Sequence, residues 1–251
     1  MGLKCFDLSL EYSFPCEILE GIVHSYLQVK AERATPYPVM PDGSQSIFIS
    51  PQSSMISGAQ LKACDIHILE PGEYFGIRFY PGALRYFFDL NISEITAQFV
   101  DEKFFPNRSF GELHKNLYRR KYFRERAVIC EEWLLKNYKP QPNFRFDLAL
   151  GLIYQSLGNM RVSQLASSVG WSTRHLNRVF QLHTGLSTKE FSQVIRIQNV
   201  CRQLYISPDD SLKTALELGF FDQPHLIKDF RKYLLSNPGN FFDRFRSDFY
   251  N

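Results

Sequence analysis

Two patterns of hydrophobic and polar positions divide the chain. From residue 6 to about residue 80, short segments such as SIFIS, ACDIHILE and EYFGIRFYPG alternate apolar and polar residues and are separated by Pro and Gly. In the last of them Phe75, Ile77 and Phe79 fall on one face, which is the period-two spacing of a half-buried strand. This pattern predicts a β-rich region, either a barrel or a sandwich.

Helical spacing replaces the strand pattern from Leu113 onward. One apolar stripe recurs at i, i+4, i+7 and i+11, at Phe123, Ala127, Cys130 and Leu134. A second helix is predicted to end at Leu157-Gly158. VSQLASSVG starts another helix, and STKEFSQVIRIQNVCRQLYIS predicts one long helix. The fold class is therefore α+β, with a β-rich domain over residues 1–110, linker helices over 111–157 and an all-α domain over 158–251.

The all-α part contains an internal duplication with a period of about 50 residues. LASSVGWSTRHLNRVF and TALELGFFDQPHLIKDF share one skeleton, once a single residue is inserted in the second copy. The matching pairs are Ala166 with Ala215, Gly170 with Gly219, Trp171 with Phe220, His175 with His225, Leu176 with Leu226, Arg178 with Lys228, Phe180 with Phe230 and Phe191 with Phe241. Ser172 and Asp222 are each suited to cap a new helix after the Gly corner. We therefore predict two helix-turn-helix units joined by the long helix.

This duplicated region resembles the double helix-turn-helix domain of AraC/XylS-type transcriptional regulators over roughly the last hundred residues. The resemblance implies a sequence-specific regulator, more commonly an activator, that binds double-stranded DNA and acts with RNA polymerase. PDGSQSIFIS and FGIRFYPGAL are similar to the β-rich, cupin-like sensing domain of one subgroup, which implies a small-molecule or protein effector. The sequence departs from the family in two places: Leu234-Leu235 stands where an aromatic residue and Gly are usual, and Thr188 replaces a common Pro. We therefore expect the second turn to differ locally.

Polar side chains on the second helix of each unit are the candidates for reading bases. The Arg fork reaches both acceptors of guanine and Asn pairs with adenine, both in the major groove. The predicted base-reading residues are Arg174, Asn177, Arg178, His225 and Lys228. We expect His175 to brace its helix instead. About 18 residues of connecting helix span about 27 Å, near the one-turn spacing of about 34 Å between successive grooves.

A second set of residues is predicted to contact phosphates or to lie at helix starts. Backbone N–H groups at helix N-termini bind anions, and phosphate contacts position a protein on DNA. The set comprises Ser163, Gln181, Ser187, Gln223 and Arg231. For Arg231, as for Lys232, Arg244 and Arg246, a solvated surface is an equally good interpretation.

Charge separates the two parts of the chain more clearly than the total of +3 suggests. Residues 1–110 carry 13 acidic and 8 basic side chains, whereas residues 111–251 carry 21 basic and 13 acidic ones. The basic part is suited to a polyanion. No segment approaches the roughly 20 apolar residues of a membrane span, and Asp7 and Glu11 interrupt any export signal. We expect a cytoplasmic protein without membrane association.

Enzymes are the rival class. A metal-dependent cupin-type enzyme would use His24, His67 and Glu70, but clustered His-x-His spacing is absent. A DNA-repair enzyme fused to a DNA-binding module needs a zinc-binding cysteine cluster, which Cys5 and Cys16 do not supply. An architectural DNA-binding protein is a further alternative. We expect no catalysis, no cofactor and no metal.

Two features leave alternatives open. The helices between residues 113 and 138 carry Phe123, Val128, Trp133 and Leu135 on more than one face, which suits either a homodimer interface or packing on the β-rich domain. Arg78 could meet an anionic ligand, or it could pair with a carboxylate. The effector and its binding residues stay unassigned.

Overall fold

The computed structural model describes residues 3–5, 8–101, 103, 110–206, 218–237 and 245. Its strands are β1 Leu3–Cys5, β2 Leu8–Ser13, β3 Val23–Ala31, β4 Thr35–Val39, β5 Gln45–Ile49, β6 Ser54–Ser57, β7 Cys64–Ile68, β8 Gly72–Phe79 and β9 Phe99–Asp101. Its α-helices are α1 Phe110–Tyr118, α2 Phe123–Asn137, α3 Phe144–Gln155, α4 Val162–Ser168, α5 Thr173–Thr184, α6 Thr188–Ile206 and α7 Gln223–Leu234. The strands precede the helices, which confirms the predicted α+β class.

The strands form two antiparallel sheets. The larger sheet has the order β1-β2-β3-β8-β5-β6-β9, and β4 pairs with β7 in a two-stranded sheet. Phe75, Ile77 and Phe79 on β8 are at most 1% exposed, so the alternation read from the sequence does place one face of this strand in the core. Residues of both sheets line one cavity.

The linker helices do not form a single layer. Leu117 of α1 and Cys130 and Leu134 of α2 are buried in the same core as the large sheet. In α3, Phe146 and Ile153 are buried instead among residues of α4, α5 and α6. The first two linker helices therefore pack with the strands, and the third packs with the first helix-turn-helix unit.

Two of the four apolar residues of α2 that suit a homodimer interface are buried within the fold. Phe123 and Trp133 are 6% and 8% exposed because they pack into the core beneath the sheet. Val128 and Leu135 are 55% and 37% exposed on the opposite side. Packing on the β-rich domain thus accounts for two of the four residues.

Within the described ranges, no helix is long and apolar enough to cross a membrane.

Helix α6 separates two cores in the all-α part. Its first half contributes Phe191, Val194 and Ile195 to the core of the first unit, and its second half contributes Val200 and Leu204 to the core of the second. The predicted single connecting helix is confirmed over 19 residues, which is about 28 Å.

Candidate nucleic-acid interface

Both helix-turn-helix corners have the predicted geometry where the structure describes them. Gly170 and Gly219 adopt φ values of +67° and +77°, a left-handed conformation that side chains disfavour. Ser172 Oγ accepts the His175 N–H at 3.2 Å, and Asp222 Oδ1 accepts the His225 N–H at 2.7 Å. Each cap begins a helix, α5 or α7. Ala215, Phe241, Arg244 and Arg246 lie outside the described residues.

The duplication extends to the orientation of the two recognition helices, α5 and α7. From 174 to 180 and from 224 to 230, each of the matched positions has the same class of exposure. Leu176 and Leu226 are completely buried. Arg178 and Lys228, two positions further on, are exposed. The buried residues seat each helix, so its polar side faces outward in the same way.

The exposed side of α5 carries the predicted cations. The cations Arg174 and Arg178 are exposed, and so is the neutral Gln181. The Arg178 guanidinium lies 3.3 Å from His175 Nδ1. The His175 ring packs edge-on against Trp171, with 4.8 Å between ring centroids. His175 therefore connects the corner aromatic to Arg178, in keeping with the expected bracing contact.

Asn177 has a structural contact that sequence reasoning missed. Its side chain is half-buried, and its Oδ1 accepts the Thr188 N–H at 3.1 Å. This bond ties α5 to the first residue of α6. A bidentate pair with adenine would use the same oxygen as an acceptor, so Asn177 is less available for bases than Arg174 and Arg178.

His225 in the second unit resembles His175 more than a base-reading residue. Its Nδ1 accepts the Phe221 N–H at 3.4 Å, and its Nε2 lies 3.9 Å from Asp229. Its ring packs edge-on against Phe220 at 5.4 Å. Lys228 and Gln223 are exposed on the same helix. Lys228 is thus the exposed cation of α7 that matches Arg178.

A buried charge in the second unit replaces an apolar residue of the first. Asp229 stands where the first unit has Val179, and it is 7% exposed. Arg196 of α6 lies 3.7 Å from its carboxylate and stacks over the Phe220 ring at 4.6 Å. This pair joins α7 to the connecting helix. No motif in the sequence signalled it, because the two residues are distant along the chain.

The predicted phosphate-contact residues have different surroundings. Ser187 and Glu190 form a capping box, in which the Glu190 carboxylate accepts the Ser187 N–H at 2.9 Å, so a carboxylate already occupies the start of α6. Ser163 is exposed but is the second residue of α4, which begins at Val162. The exposed Arg231 donates to Asn237 Oδ1 at 2.6 Å.

The turn after the second recognition helix does not differ as expected. Leu235 adopts φ 52°, and its N–H donates to the Arg231 carbonyl at 3.1 Å. Gly185 closes α5 in the same way, with φ 80° and a bond of 2.9 Å to the Gln181 carbonyl. The left-handed cap is therefore kept although a leucine occupies it, and the predicted local difference is wrong.

A cavity of about 290 Å³ lies between the two sheets of the β-rich part. Its apolar lining comes from β3, β5, β6, β7 and β8, and includes Leu27, Val29, Phe48, Met55, Ile66 and Phe75. Tyr37, His67 and Glu70 supply polar groups. Burial raises the pKa of Tyr37 to about 12, and its hydroxyl has no hydrogen-bond partner among the described residues. Arg78 does not line this cavity; it forms an ion pair with Asp42.

The two histidines of the metal-dependent alternative lie on different sheets. His24 lies on β3 of the large sheet, whereas His67 lies on β7 of the small one. Across the part of the chain that the structure describes, no three His, Cys, Asp or Glu side chains come together as metal ligands.

Comparisons with known proteins assign the class of the all-α part. Residues 165–244 match the family described as helix-turn-helix domain, and residues 12–101 match a domain of unknown function, DUF6597. Together with the duplicated corners and caps, this match defines a helix-turn-helix protein. The C-terminal part of the chain is thus similar to this helix-turn-helix family, in line with the helix-turn-helix units that the sequence predicted.

Two curated relatives share this region. The chain is 28% identical over 92 residues to an HTH-type transcriptional regulator of Haemophilus influenzae, and 30% identical over 80 residues to the HTH-type transcriptional regulator MtrA of Neisseria gonorrhoeae. These matches span 37% and 32% of this chain, and 31% and 27% of the relatives. A structure of ToxT from Vibrio cholerae aligns over 94% of this chain and 98% of its own, with 9% identity and a TM-score of 0.49.

Proposed function

We propose that this protein is a sequence-specific DNA-binding transcriptional regulator that inserts α5 and α7 into successive major grooves. The observation that carries the proposal is the matched outward face of the two recognition helices, with Arg178 and Lys228 exposed at equivalent positions. Helix α6 is about 28 Å long, close to the groove spacing of about 34 Å. The family resemblance favours activation over repression.

The contacts divide the predicted residues into two roles. Arg174 and Arg178 in the first unit and Lys228 in the second are exposed cations and are proposed to read bases. Asn177 and His225 are engaged within the fold and are proposed to position the helices. Of the second set, Gln181, Gln223 and Arg231 are proposed to contact phosphates, because they are exposed at the same surface.

Scanning every position of a selected DNA site with variants tests the proposal. Arg178→Ala is expected to weaken specific binding by about 1 to 3 kcal/mol and to relax the preference for one base pair. Lys228→Ala is expected to act on the other half of the site. Arg124→Ala, which removes an exposed cation from α2, is the matched control and should preserve every preference. Unchanged base preferences in Arg178→Ala would refute the assigned role.

We further propose that the cavity between the sheets binds an effector. Its lining is mainly apolar, so a largely apolar molecule suits it. A ligand regulates DNA binding only if it binds two arrangements of the protein with different affinity. The cavity wall provides a direct route for such a difference.

The connection between β6 and β7, residues 58–63, is that route. Met55 on β6 and Ile66 on β7 line the cavity on either side of it. Ala59 is buried in the core of the first helix-turn-helix unit. Ala63 is buried in the core of the second, and its N–H donates to the Tyr233 carbonyl at 2.7 Å. A change in cavity width would therefore act on both units at once.

Anilinonaphthalene sulfonate, a fluorescent molecule with apolar aromatic rings and one sulfonate group, is a suitable first probe. It is expected to bind the wild type, to bind a Met55→Trp variant more weakly because the cavity is partly filled, and to change the DNA affinity of the wild type. If Met55→Trp abolishes binding of the probe, but the probe leaves the DNA affinity of the wild type unaltered, effector control is rejected. The DNA-binding proposal is then unaffected.

We also assign a role to each part of the chain. The sensing domain corresponds to residues 1–110, the linker to 111–157 and the DNA-binding domain to 158–251. RNA polymerase is the partner implied by the family. Val128 and Leu135 on α2 are the exposed apolar residues suited to a homodimer. Sedimentation at low concentration, with and without DNA, distinguishes a dimer from a strict monomer.

A further inference from the structure

The second helix-turn-helix corner contains an aromatic residue that the first corner lacks. Between the corner Gly and the cap, the first unit has Trp171 alone, whereas the second has Phe220 and Phe221. Phe220 takes the place of Trp171, since it is 3% exposed and its ring packs against His225 as Trp171 packs against His175. The inserted residue is therefore Phe221, and it is 87% exposed.

Phe221 is held in place although its ring is exposed. Its N–H donates to His225 Nδ1 at 3.4 Å, and the next residue, Asp222, caps α7. A residue before a helix cap often packs on the fourth helical residue, which here is Leu226. Leu226 is completely buried without it. The backbone of Phe221 is thus fixed at the start of α7, while its ring is left largely exposed.

The start of a recognition helix is the part that meets base edges in the major groove. There the apolar group that a base offers is the C5-methyl of thymine, and a phenyl ring offers no hydrogen bond. We propose that Phe221 packs against a thymine methyl in the half-site of the second unit and so determines specificity there. This proposal rests on the proposed function, because it needs α7 in the groove.

The test removes each partner of the contact in turn. Once a preferred site has been selected, each thymine in the second half-site is replaced by deoxyuridine, which lacks only the methyl group. One replacement is expected to weaken wild-type binding about three- to fivefold, the effect of removing one buried methyl. Phe221→Ala is expected to weaken binding at least as much, and to be insensitive to deoxyuridine at that position.

Phe144→Ala is the matched control, since Phe144 is 81% exposed on α3. It should leave both the affinity and the deoxyuridine effects unchanged, and thermal unfolding should show that both variants fold. Unchanged affinity in Phe221→Ala overturns the proposal. So does weaker binding that retains every deoxyuridine effect, which would indicate packing on the sugar-phosphate backbone. A wild type without any sequence preference would instead overturn the proposed function itself.

Discussion

The two helix-turn-helix units share one skeleton but are supported differently. In both, a Leu and a Phe of the recognition helix are completely buried and seat it. The first unit packs on α3 and on Ala59 of the β-rich part, with Val179 completing its apolar interior. The second packs on Met40 and Ala63, and uses the Asp229–Arg196 pair where the first has Val179. The buried Leu and Phe of the recognition helix are thus the same in both units, whereas the residues packed around that helix differ.

The outward faces diverged further than the seats. The first unit presents Arg174 and Arg178, whereas the second presents Pro224, Lys228 and the inserted Phe221. Two units with one fold therefore carry different chemistry for DNA. We expect a site with two unlike halves rather than a direct repeat of one half-site.

The largest effect is expected when the common seat is removed. Leu176→Ala and Leu226→Ala should each lower the free energy of unfolding by about 2 to 5 kcal/mol, because each leaves a cavity in a closed core. Urea unfolding measures both. Arg174→Ala, an exposed change on the same helix, should stay within about 0.5 kcal/mol of the wild type. A loss below about 1 kcal/mol at one leucine would show that the two helices are not seated alike.

The caps that end α5 and α7 give the next largest effect, with opposite signs. Gly185→Ala should lower the free energy of unfolding by about 1 to 3 kcal/mol, because φ of +80° is strained for Ala. The new Cβ would also overlap Thr96 Oγ1. Leu235→Gly should raise the free energy of unfolding by up to about 1 kcal/mol, since it relieves the same strain in a half-exposed residue. Equal signs for the two variants would contradict the equivalence of the caps.

A third effect, on the pH dependence of the free energy of unfolding, distinguishes the two units. Burial and the nearby Arg85 lower the pKa of His183 to about 4, while Asp147 opposes this. Because the folded pKa lies below the unfolded value of about 6.5, the unfolded chain binds the proton more readily. The contribution of neutral His183 to the free energy of unfolding is complete above pH 6.5 and is lost as the pH falls towards 4.

His183→Gln should flatten the fall in the free energy of unfolding over that range, and a ring titration by NMR should give a His183 pKa near 4. The counterpart in the second unit is Tyr233, whose hydroxyl donates to Gln193 at 2.6 Å. His24, with a pKa also near 4, persists in the variant, so part of the dependence should remain. An unchanged slope would show that the fold does not lower the pKa of His183.

Much of the candidate site was predictable because its signals are local. Ser172 and Asp222 each cap a helix a few residues away, and the spacing of Leu176 and Phe180 decides which side of α5 faces outward. The role of Asn177 could not be predicted, since its partner Thr188 belongs to the next helix. The absence of Gly at Leu235 was misleading, because Leu235 itself adopts the left-handed conformation and its N–H donates to the Arg231 carbonyl.

By itself, the sequence determined the order of strands and helices, the duplication, the caps and the outward face of each recognition helix. Those features depend on neighbours within about one helical turn or one strand. Only the tertiary structure decided that residues 58–63 contact both units, that Asp229 pairs with Arg196, and that both sheets line one cavity. Such contacts join residues far apart along the chain, and they form only when whole elements pack together.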